Sequence, residues 1–310
     1  MSSFLVTGGA GFIGSHLVRK LVALGHNVRV LDNLSTGRLR NLDGLEGQFE
    51  WFCGNAADID KVERVIVGME GVFHLAAIPS VSFSTKSPLQ NQQSGEVATL
   101  VVLDAAMRHG IKRVVYSSSC AVYGNTSEKP ASEETNGRPL TFYGLSKLVS
   151  ESYCRLFSNL YPQLETACLR YFNVFGTRQN PASLYAGVIP IFLGCLRDGR
   201  SPTIFGDGHQ TRDFIDVSDV VTANLAAMRS RLVLRGECFN VGTGTSISIL
   251  ELWNYLAQLA KSDLCPEFAP PRTEDIRNSR ADITKIQGAL QFWPKTNWQK
   301  GVRKLWSAPG

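Results

Sequence analysis

Over its first 172 residues, the chain alternates short apolar runs with longer stretches in which apolar residues recur at helical spacing. The short runs predict strands and the longer stretches predict helices, because the two elements bury side chains with different periods. Strands that alternate with helices predict a doubly wound α/β fold, in which helices cover both faces of a parallel sheet. The predicted strands are Phe4–Val6, Asn27–Leu31, Phe49–Phe52, Val72–Leu75, Arg113–Ser117 and Thr166–Tyr171, and the predicted helices are Phe12–Leu24, Ile59–Val67, a segment within Leu89–Arg108, and Phe142–Leu160.

The regular alternation of strands and helices ends after residue 172. Helical stretches at Val188–Arg197, Val217–Met228 and Ile249–Ala260 alternate with short strands and with loops rich in glycine and proline. This pattern predicts a smaller α/β lobe over the mouth of the sheet. We therefore predict a first domain in residues 1–172 and a second in residues 173–310, sharing one body because no flexible linker separates them.

The composition excludes several classes of protein. Hydrophobic residues make up 44 % of the chain and charged residues 19 %, which is typical of a globular protein. The net charge of +5 is spread along the chain, so we expect no nucleic-acid partner. The seven cysteines lack close paired spacing and the five histidines stand apart, so we expect reduced thiols and no metal site. Because the first strand is predicted at Phe4 and no apolar run approaches the roughly 18 residues that cross a bilayer, we expect a cytoplasmic protein without a signal peptide or membrane segment.

A glycine-rich loop, Gly9-Ala-Gly11-Phe-Ile-Gly14, follows the first predicted strand and opens a helix. In that context, the glycines let the backbone approach a pyrophosphate, which the helix N-terminus then binds. Asp32 ends the second strand, where a carboxylate can bind the ribose hydroxyls of a dinucleotide and would repel a 2′-phosphate. NAD is therefore predicted rather than NADP. The alternatives are a solvated turn aspartate and an opposing effect of Arg38 or Arg40.

Tyr143 and Lys147 lie one helical turn apart and therefore share a helix face. A nearby ammonium lowers a tyrosine pKa from about 10 towards working pH, which would let Tyr143 deprotonate an alcohol while a nicotinamide takes the hydride. An exposed helix pattern is the other explanation. Ser119 belongs to the run Ser117-Ser-Ser119 at the end of the fifth predicted strand, where ligands bind in this architecture, so we expect it to bind the same oxygen. For Ser118 we expect a hydroxyl bonded to the backbone.

These motifs belong to a longer series that resembles the extended short-chain dehydrogenase/reductase family, in its nucleotide-sugar epimerase/dehydratase branch. The resemblance implies a Rossmann-like fold, an NAD-binding domain in residues 1–172 with tightly held NAD, and a substrate lobe in residues 173–310. The matching stretches are Thr7–Gly14, Asp32–Ser35, His74–Ala77, Ser117–Ser119, Val122–Gly124, Tyr143–Lys147, Leu169–Gly176, Val188–Pro190, Phe205–Gly208, Gln210–Phe214, Phe239–Gly244 and Arg280–Asp282.

The same resemblance implies roles for individual residues. The catalytic group would be Tyr143 as base, Ser119 as its partner and Lys147 as the cation. The implied NAD-binding residues are Gly8, Gly11, Phe12, Ile13, Gly14, Asp32, Asn33, Ser35, Thr36, Gly37, Asn55, Ala56, Leu75, Ala76, Ala77, Ser117, Tyr143, Lys147 and Tyr171. The implied substrate-binding residues are Ser119, Asn173, Val188, Arg212, Arg272, Asp275 and Ser279.

Arginine forks suit phosphate oxygens, which agrees with a role for Arg212 at the diphosphate and for Arg272 with Asp275 at the far end of the nucleotide. A local ion pair between Arg212 and Asp213 and a surface role for Arg272 are the alternatives.

The chain departs from the family pattern twice. Asn55 replaces the usual aspartate beside the adenine, and Gly95 replaces an asparagine usually placed near the cofactor.

The residues before Val122-Tyr-Gly124 bear on the reaction. Family members that eliminate water or decarboxylate carry a carboxylate there, whereas this chain has Cys120 and Ala121. Hydride return to the other face of a 4-keto sugar is then the simplest course, so the resemblance implies a UDP-hexose 4-epimerase. The resemblance also implies that one position between Asp275 and Asp282 gates the space beside the sugar C2 substituent, and the Arg280-Ala-Asp282 match places it on Ser279. The small size of Ser279 points to UDP-N-acetylglucosamine/UDP-N-acetylgalactosamine, with UDP-glucose/UDP-galactose also turned over. Supply of precursors for lipopolysaccharide or another surface glycan fits such a product.

A UDP-glucuronate 4-epimerase is the nearest alternative and would need an extra cation for the C6 carboxylate. A dinucleotide-binding redox sensor without turnover, or a one-way reductase that needs added NAD(P)H, would belong to other classes.

The helices within Leu89–Arg108 and Phe142–Leu160 are apolar on more than one face, and the resemblance implies a homodimer through a four-helix bundle. Ordinary packing on the sheet is the other explanation.

Overall fold

A parallel sheet of seven strands forms the centre of the molecule. The computed structural model describes residues 1–125, 129–179, 187–272 and 275–307. The strands are β1 Ser3–Thr7, β2 Asn27–Asp32, β3 Glu50–Cys53, β4 Gly71–His74, β5 Arg113–Ser119, β6 Glu165–Tyr171, β7 Asn173–Phe175, β8 Thr203–Phe205, β9 Thr211–Arg212, β10 Phe214–Asp216, β11 Glu237–Val241, β12 Ile247–Ser248 and β13 Glu267–Ala269. The central sheet has the order β11-β6-β5-β4-β1-β2-β3. The strand order reverses between β1 and β4, which opens a crevice at the carboxyl edge of the sheet.

Helices cover the sheet on both sides. They are α1 Phe12–Ala23, α2 Ile59–Ile66, α3 Val81–Lys86, α4 Pro88–Gln92, α5 Ala98–Arg108, α6 Phe142–Leu160, α7 Val188–Arg197, α8 Val217–Arg229, α9 Ile249–Ala260, α10 Thr284–Leu290 and α11 Trp298–Ser307. Side chains alternate along each strand, so that Val6 packs with α1 and α8 on one face while Leu5 packs with α2 and α5 on the other. The sheet is therefore buried on both faces, and the predicted Rossmann-like α/β fold is confirmed.

One predicted helix is interrupted. The segment within Leu89–Arg108 consists of α4, a π-helical turn at Gln93–Val97, and α5. We call residues 93–97 the π turn. In a π turn the backbone bonds span one more residue than in an α-helix, and such turns are frequent at functional sites.

The second half of the chain contributes to the central sheet as well as to its own cluster. Strand β11 pairs with β6 in register, and α8 packs beside α1. Around Trp253, helices α7, α9 and α11 form a separate apolar cluster with β8 and β10. The boundary at residue 172 therefore remains a prediction.

Across the described ranges, no helix is both long and apolar enough to cross a membrane.

Candidate active site

The turn between β1 and α1 has room only for glycine at two positions. Gly8 has φ +71°, and a Cβ added there would lie 2.8 Å from the backbone nitrogen of Ala76. A Cβ on Gly14 would lie 2.1 Å from the carbonyl oxygen of Gly8. This packing brings the start of α1 close to the strand ends, and Phe12 and Ile13 line the crevice there. The first backbone N–H groups of a helix have no partner within it, so this end of α1 suits a phosphate group.

Asp32 ends β2 beside that turn and is buried. Its Oδ2 accepts from the backbone nitrogen of Ala10 at 3.0 Å and its Oδ1 from that of Leu34 at 2.8 Å. Burial raises the pKa of this carboxyl, and the backbone donors oppose the rise. The alternative of a solvated turn aspartate is therefore wrong. Gly37 packs against Asp32, where a Cβ would lie 2.9 Å from Oδ2, and it does not line the adjoining cavity as expected.

A cavity of about 560 Å³ runs from this turn to the end of β5. It is lined by residues from both halves of the chain. Of the residues expected to bind NAD, it brings together Gly8, Gly11, Phe12, Ile13, Gly14, Asp32, Asn33, Ser35, Thr36, Asn55, Ala56, Leu75, Ala76, Ala77, Ser117, Tyr143, Lys147 and Tyr171. Of those expected to bind substrate, it contains Ser119 and Asn173, whereas Val188, Arg212, Arg272, Asp275 and Ser279 lie outside it.

Tyr143, Lys147 and Ser119 converge at one end of this cavity. The Lys147 Nζ donates to the carbonyl oxygen of Ser117 at 2.6 Å and lies 5.8 Å from the Tyr143 ring centroid. Burial lowers the pKa of Lys147 to about 8, and the Glu151 carboxylate opposes that shift. The Lys147 ammonium lies near the Tyr143 ring, as the Tyr-x-x-x-Lys spacing predicted. The alternative, that these two residues form an exposed helix pattern, is wrong because Lys147 is buried.

The pKa of Tyr143 moves in the opposite direction to the one expected. Burial raises it to about 12, and the hydrogen bond with the Ser119 side chain only partly offsets that rise. Both Tyr143 and Lys147 are thus pushed towards their neutral forms. An opposite charge that enters the cavity would favour the ionised form of either group.

Ser118 and Ser119 differ in their partners. The Ser119 Oγ accepts from the backbone nitrogen of Ala121 at 3.1 Å and also bonds Tyr143. The Ser118 hydroxyl was expected to bond the backbone, but it donates to the Glu151 Oε1 at 2.5 Å. The expectation for Ser118 is wrong because a buried carboxylate from α6 lies within reach of the end of β5.

That carboxylate belongs to a buried ion pair that the sequence reasoning missed. Arg170 donates to Glu151 from Nε at 2.8 Å and from Nη2 at 2.7 Å, and both side chains are nearly inaccessible to water. From Nη1, Arg170 also donates to the Tyr123 hydroxyl at 2.9 Å. The spacing was a usable signal, because Tyr143, Lys147 and Glu151 follow one another at four-residue intervals on the same helix face.

Several features of the cavity wall had no sequence signal, although Asn173 itself was expected there. Arg178 has a left-handed backbone, with φ +65°, and its Nη1 lies 3.3 Å from the Nδ1 of His16. The Gln179 Oε1 and the Asn173 Oδ1 are both buried and lack a hydrogen-bond partner among the described residues. Each is a free acceptor at the cavity wall, which suits a ligand hydroxyl or amide. Further wall residues are Gln90, Gln93 and Ser94.

Arg212 ends β9 and bonds the segment that follows β13. Its Nη2 donates to Asp275 at 2.8 Å and its Nη1 to the carbonyl oxygen of Ile276 at 2.6 Å. The alternative partner Asp213 is fully buried and instead accepts from backbone nitrogens that include those of Thr243 and Ala281. The ion pair proposed between neighbours in the sequence is therefore wrong.

The remaining expected substrate residues lie nearby. The Arg272 guanidinium is 3.7 Å from the centroid of the Phe205 ring, an exposed cation–π contact. Ser279 is buried beside Cys120, and their side chains share a hydrogen bond. In the described ranges, no group of three or more histidine, cysteine or acidic side chains could hold a metal ion.

Comparisons with known proteins agree with this geometry. A model described as the NAD dependent epimerase/dehydratase family matches residues 4–242. The UDP-glucose 4-epimerase of Mycolicibacterium smegmatis is 39 % identical over 304 residues, which cover 97 % of this chain and 96 % of that protein.

Two solved structures are similar over nearly their whole length. A UDP-glucose 4-epimerase from Thermotoga maritima, solved with UDP-glucose, has a TM-score of 0.92 and 37 % identity, covering 97 % of this chain and 96 % of that one. A UDP-N-acetylglucosamine 4-epimerase from Methanobrevibacter ruminantium M1, in complex with UDP-N-acetylmuramic acid, has a TM-score of 0.93 and 36 % identity, covering 98 % and 97 %. The chain has a dinucleotide crevice, and Tyr143 and Lys147 both line it. With these features and the matches above, the chain belongs to the NAD dependent epimerase/dehydratase family.

Proposed function

We propose that this chain is a UDP-sugar 4-epimerase that inverts C4 through a transient 4-keto sugar, with UDP-N-acetylglucosamine/UDP-N-acetylgalactosamine as its main pair and UDP-glucose/UDP-galactose also turned over. One observation carries the proposal. Tyr143, Ser119 and Lys147 close one end of the cavity whose other end is formed by Asp32 and the glycine turn.

The residues present fit NAD. The absence of a Cβ at Gly8 and Gly14 lets the turn pack tightly against the strand ends and the start of α1. Gly8, Gly14 and Asp32 all line the cavity, and backbone donors hold the Asp32 carboxylate in place. These groups would hold the diphosphate and the adenosine ribose. When bound, NAD supplies a hydride acceptor and then a hydride donor for the sugar C4.

The chain's own groups move the proton. A positive charge in the cavity favours the phenolate of Tyr143, against the effect of burial. That phenolate takes the proton of the C4 hydroxyl as the C4 hydride leaves, and Ser119 holds the same oxygen through a hydrogen bond. Lys147 stabilises the phenolate by its charge. The ketone then presents its other face, recovers a hydride at C4, and takes the proton back from Tyr143, so that only the configuration has changed.

The wall next to Ser119 favours hydride return over elimination. By the family resemblance, Cys120 occupies the position at which dehydratases and decarboxylases carry a carboxylate as the acid or base for C5 and C6 chemistry. Burial raises the pKa of its thiol to about 11, and the hydrogen bond from Ser279 opposes that shift only in part. A thiol that stays protonated near neutral pH is a poor base.

Ser279 supports the choice of an N-acetylated sugar. It is small, buried and hydrogen-bonded to Cys120, the neighbour of the catalytic serine. Although Ser279 does not line the cavity, a bulky aromatic side chain there would push Cys120 and Ser119 towards the sugar and narrow that end. The experiment measures turnover of both sugar pairs by the wild type and by Ser279→Tyr, without added cofactor. We expect the substitution to reduce turnover of the N-acetylated pair and spare the glucose pair. Wild-type activity on the glucose pair alone, unchanged by Ser279→Tyr, would refute the role of Ser279.

UDP-glucuronate epimerisation is a second candidate because of Arg178. The sequence offered no cation for a C6 carboxylate, whereas this guanidinium lines the cavity in a constrained backbone conformation. Turnover of UDP-glucuronate that Arg178→Gln abolishes, with the N-acetylated pair unaffected, would select this candidate. Lack of UDP-glucuronate turnover by the wild type would exclude it.

A redox sensor and a one-way reductase predict different behaviour. A sensor would bind dinucleotide and sugar nucleotide without turnover, and a reductase would need added NAD(P)H in every cycle. Interconversion of the two C4 epimers with only the copurified cofactor excludes both classes.

We also propose a homodimer through α5 and α6. Exposed apolar side chains follow one face of α6 at helical spacing, namely Phe142, Leu145, Leu156 and Leu160, and Leu100 is exposed on α5. Two such helices from each copy would bury these groups in a four-helix bundle. Light scattering of the wild type and of Leu145→Glu/Leu156→Glu tests the assignment: a wild-type monomer, or a charged variant that stays dimeric, would contradict it.

A further inference from the structure

The π turn occupies one wall of the catalytic end of the cavity. Gln93 and Ser94 line the cavity, and Gly95 is buried against α6, where an added Cβ would lie 3.0 Å from the Ser146 Oγ. Ser146 precedes Lys147, so the turn packs directly on the helix that carries Tyr143 and Lys147. A π turn is a rare and locally unfavourable conformation, so other contacts must hold it.

A buried chain of hydrogen bonds ends at this turn. The backbone nitrogen of Ala76 donates to the Thr7 hydroxyl at 3.2 Å, and that hydroxyl lies 2.7 Å from the His74 Nδ1. The His74 Nε2 lies 3.2 Å from the Thr99 hydroxyl, which donates to the carbonyl oxygen of Gly95 at 2.7 Å. The chain therefore links the end of β1, the end of β4 and the π turn.

The direction of each bond follows from its ends. The Gly95 carbonyl can only accept, so the Thr99 hydroxyl donates its single hydrogen there and must accept a hydrogen bond from His74. His74 therefore carries its proton on Nε2 and accepts at Nδ1 from Thr7. Burial lowers the pKa of His74 to about 3, and the Lys147 charge adds to that shift, so the imidazole is neutral near pH 7. Every donor and acceptor in the chain is satisfied only in this tautomer.

We propose that His74, with Thr7 and Thr99, is a positioning group that fixes the π turn so that Gln93 and Ser94 form the wall beside Tyr143. The Ser94 hydroxyl already donates to the carbonyl oxygen of Asn91 at 3.2 Å, so it offers the cavity an acceptor. The exposed Gln93 amide offers both a donor and an acceptor. These groups suit the hydroxyls of a sugar or the amide of a nicotinamide.

The inference rests on the proposed epimerase function. It gives the wall formed by the π turn a role in positioning the sugar or the nicotinamide. The other explanation is that His74 is only a satisfied core residue at the end of a strand. The two explanations differ in what happens to turnover and to the local opening of the π turn when the chain of hydrogen bonds is cut in its middle.

The experiment compares Thr99→Val with Thr99→Ser. Valine keeps the shape of threonine and removes the hydroxyl, whereas serine keeps the hydroxyl and removes a methyl group. Both lose some stability, because Thr99 is buried in either case. We expect Thr99→Val to lower kcat about tenfold, with KM and the NAD content per protomer near the wild type, and Thr99→Ser to retain most of the wild-type kcat.

Two further measurements complete the test. Gln93→Leu alters an exposed side chain, and we expect it to lower kcat without changing the melting temperature. The double variant Gln93→Leu/Thr99→Val should lose less kcat than the product of the two separate reductions, because both substitutions act on the same wall. Hydrogen exchange of the backbone amides of residues 93–98 should be faster in Thr99→Val than in Thr99→Ser, a readout that does not depend on activity.

The outcomes separate the inference from the function. Equal kcat and equal exchange in Thr99→Val and Thr99→Ser, or full activity of Gln93→Leu, overturns the positioning role. A wild type that turns over no UDP-sugar overturns the proposed function instead, and hydrogen exchange then still reports whether Thr99 holds the turn.

Discussion

Replacing Glu151 by glutamine tests how the buried ion pair supports the catalytic helix. The substitution keeps the shape of the side chain and leaves the Arg170 guanidinium buried without its carboxylate. Breaking a buried pair by removing one partner costs about 3–5 kcal/mol, because the remaining charge stays out of water. For a chain of 310 residues, we therefore expect the melting temperature to fall by about 5–8 °C.

The same substitution should move the pH profile. Glu151 opposes the fall in the Lys147 pKa that burial causes. Without that carboxylate and with Arg170 still charged, Lys147 loses its proton at lower pH. Since catalysis needs the charged lysine, we expect the basic limb of kcat/KM to shift to lower pH in Glu151→Gln.

A double variant separates the two effects. In Glu151→Met/Arg170→Met no lone charge is buried, so most of the lost stability should return. The basic limb of kcat/KM should still lie below that of the wild type, because the carboxylate facing Lys147 is gone. Thermal melts and pH–rate profiles of the three proteins provide the measurement. If Glu151→Gln has the melting temperature and the pH profile of the wild type, the proposed role of the Glu151/Arg170 pair is refuted.

Three further outcomes are expected. Tyr143→Phe should lower kcat about 10²–10⁴-fold while binding of NAD and UDP-sugar, measured by calorimetry, persists; turnover near the wild-type rate would exclude Tyr143 as the base. Gly14→Ala should lose bound NAD, measured as copurified nucleotide, because its Cβ would lie 2.1 Å from the Gly8 carbonyl oxygen; normal NAD content would contradict the tight packing of the turn. His74 should make folding acid-sensitive: its folded pKa of about 3 lies below the unfolded value of about 6.5, so its contribution is complete above pH 6.5 and decreases as pH falls towards 3. Denaturant titrations at pH 7.5 and pH 5 should differ by about 2 kcal/mol more in the wild type than in His74→Gln, and equal differences would show that His74 is not protonated on unfolding.

Much of the site was predictable because its chemistry depends on local spacing. The glycine turn needs glycines at fixed positions, and the Tyr143/Lys147 pair needs one helical turn, so both appear as short patterns in the chain. The strand and helix periods likewise predicted the parallel sheet, and the carboxyl ends of its strands then placed Ser119 and Asp32 at one edge. The resemblance to the short-chain dehydrogenase/reductase family is confirmed by the family match.

Burial was the main thing that local spacing did not reveal. It reversed the expected shift of the Tyr143 pKa, and it placed Ser118 on Glu151 instead of on the backbone. Both outcomes depend on how closely α6 packs on the end of β5, which no short window of the sequence contains.

The sequence by itself determined the fold class, the dinucleotide turn and the tyrosine/lysine pair, because each follows from the order and spacing of neighbouring residues. Only the tertiary structure decided the partners of the buried charges and the shape of the cavity wall. Glu151 forms a salt bridge with Arg170, and His74 forms a hydrogen bond with Thr99, each between separate elements of the fold. Such contacts arise when distant segments exclude water together, and their energies depend on that exclusion rather than on sequence separation.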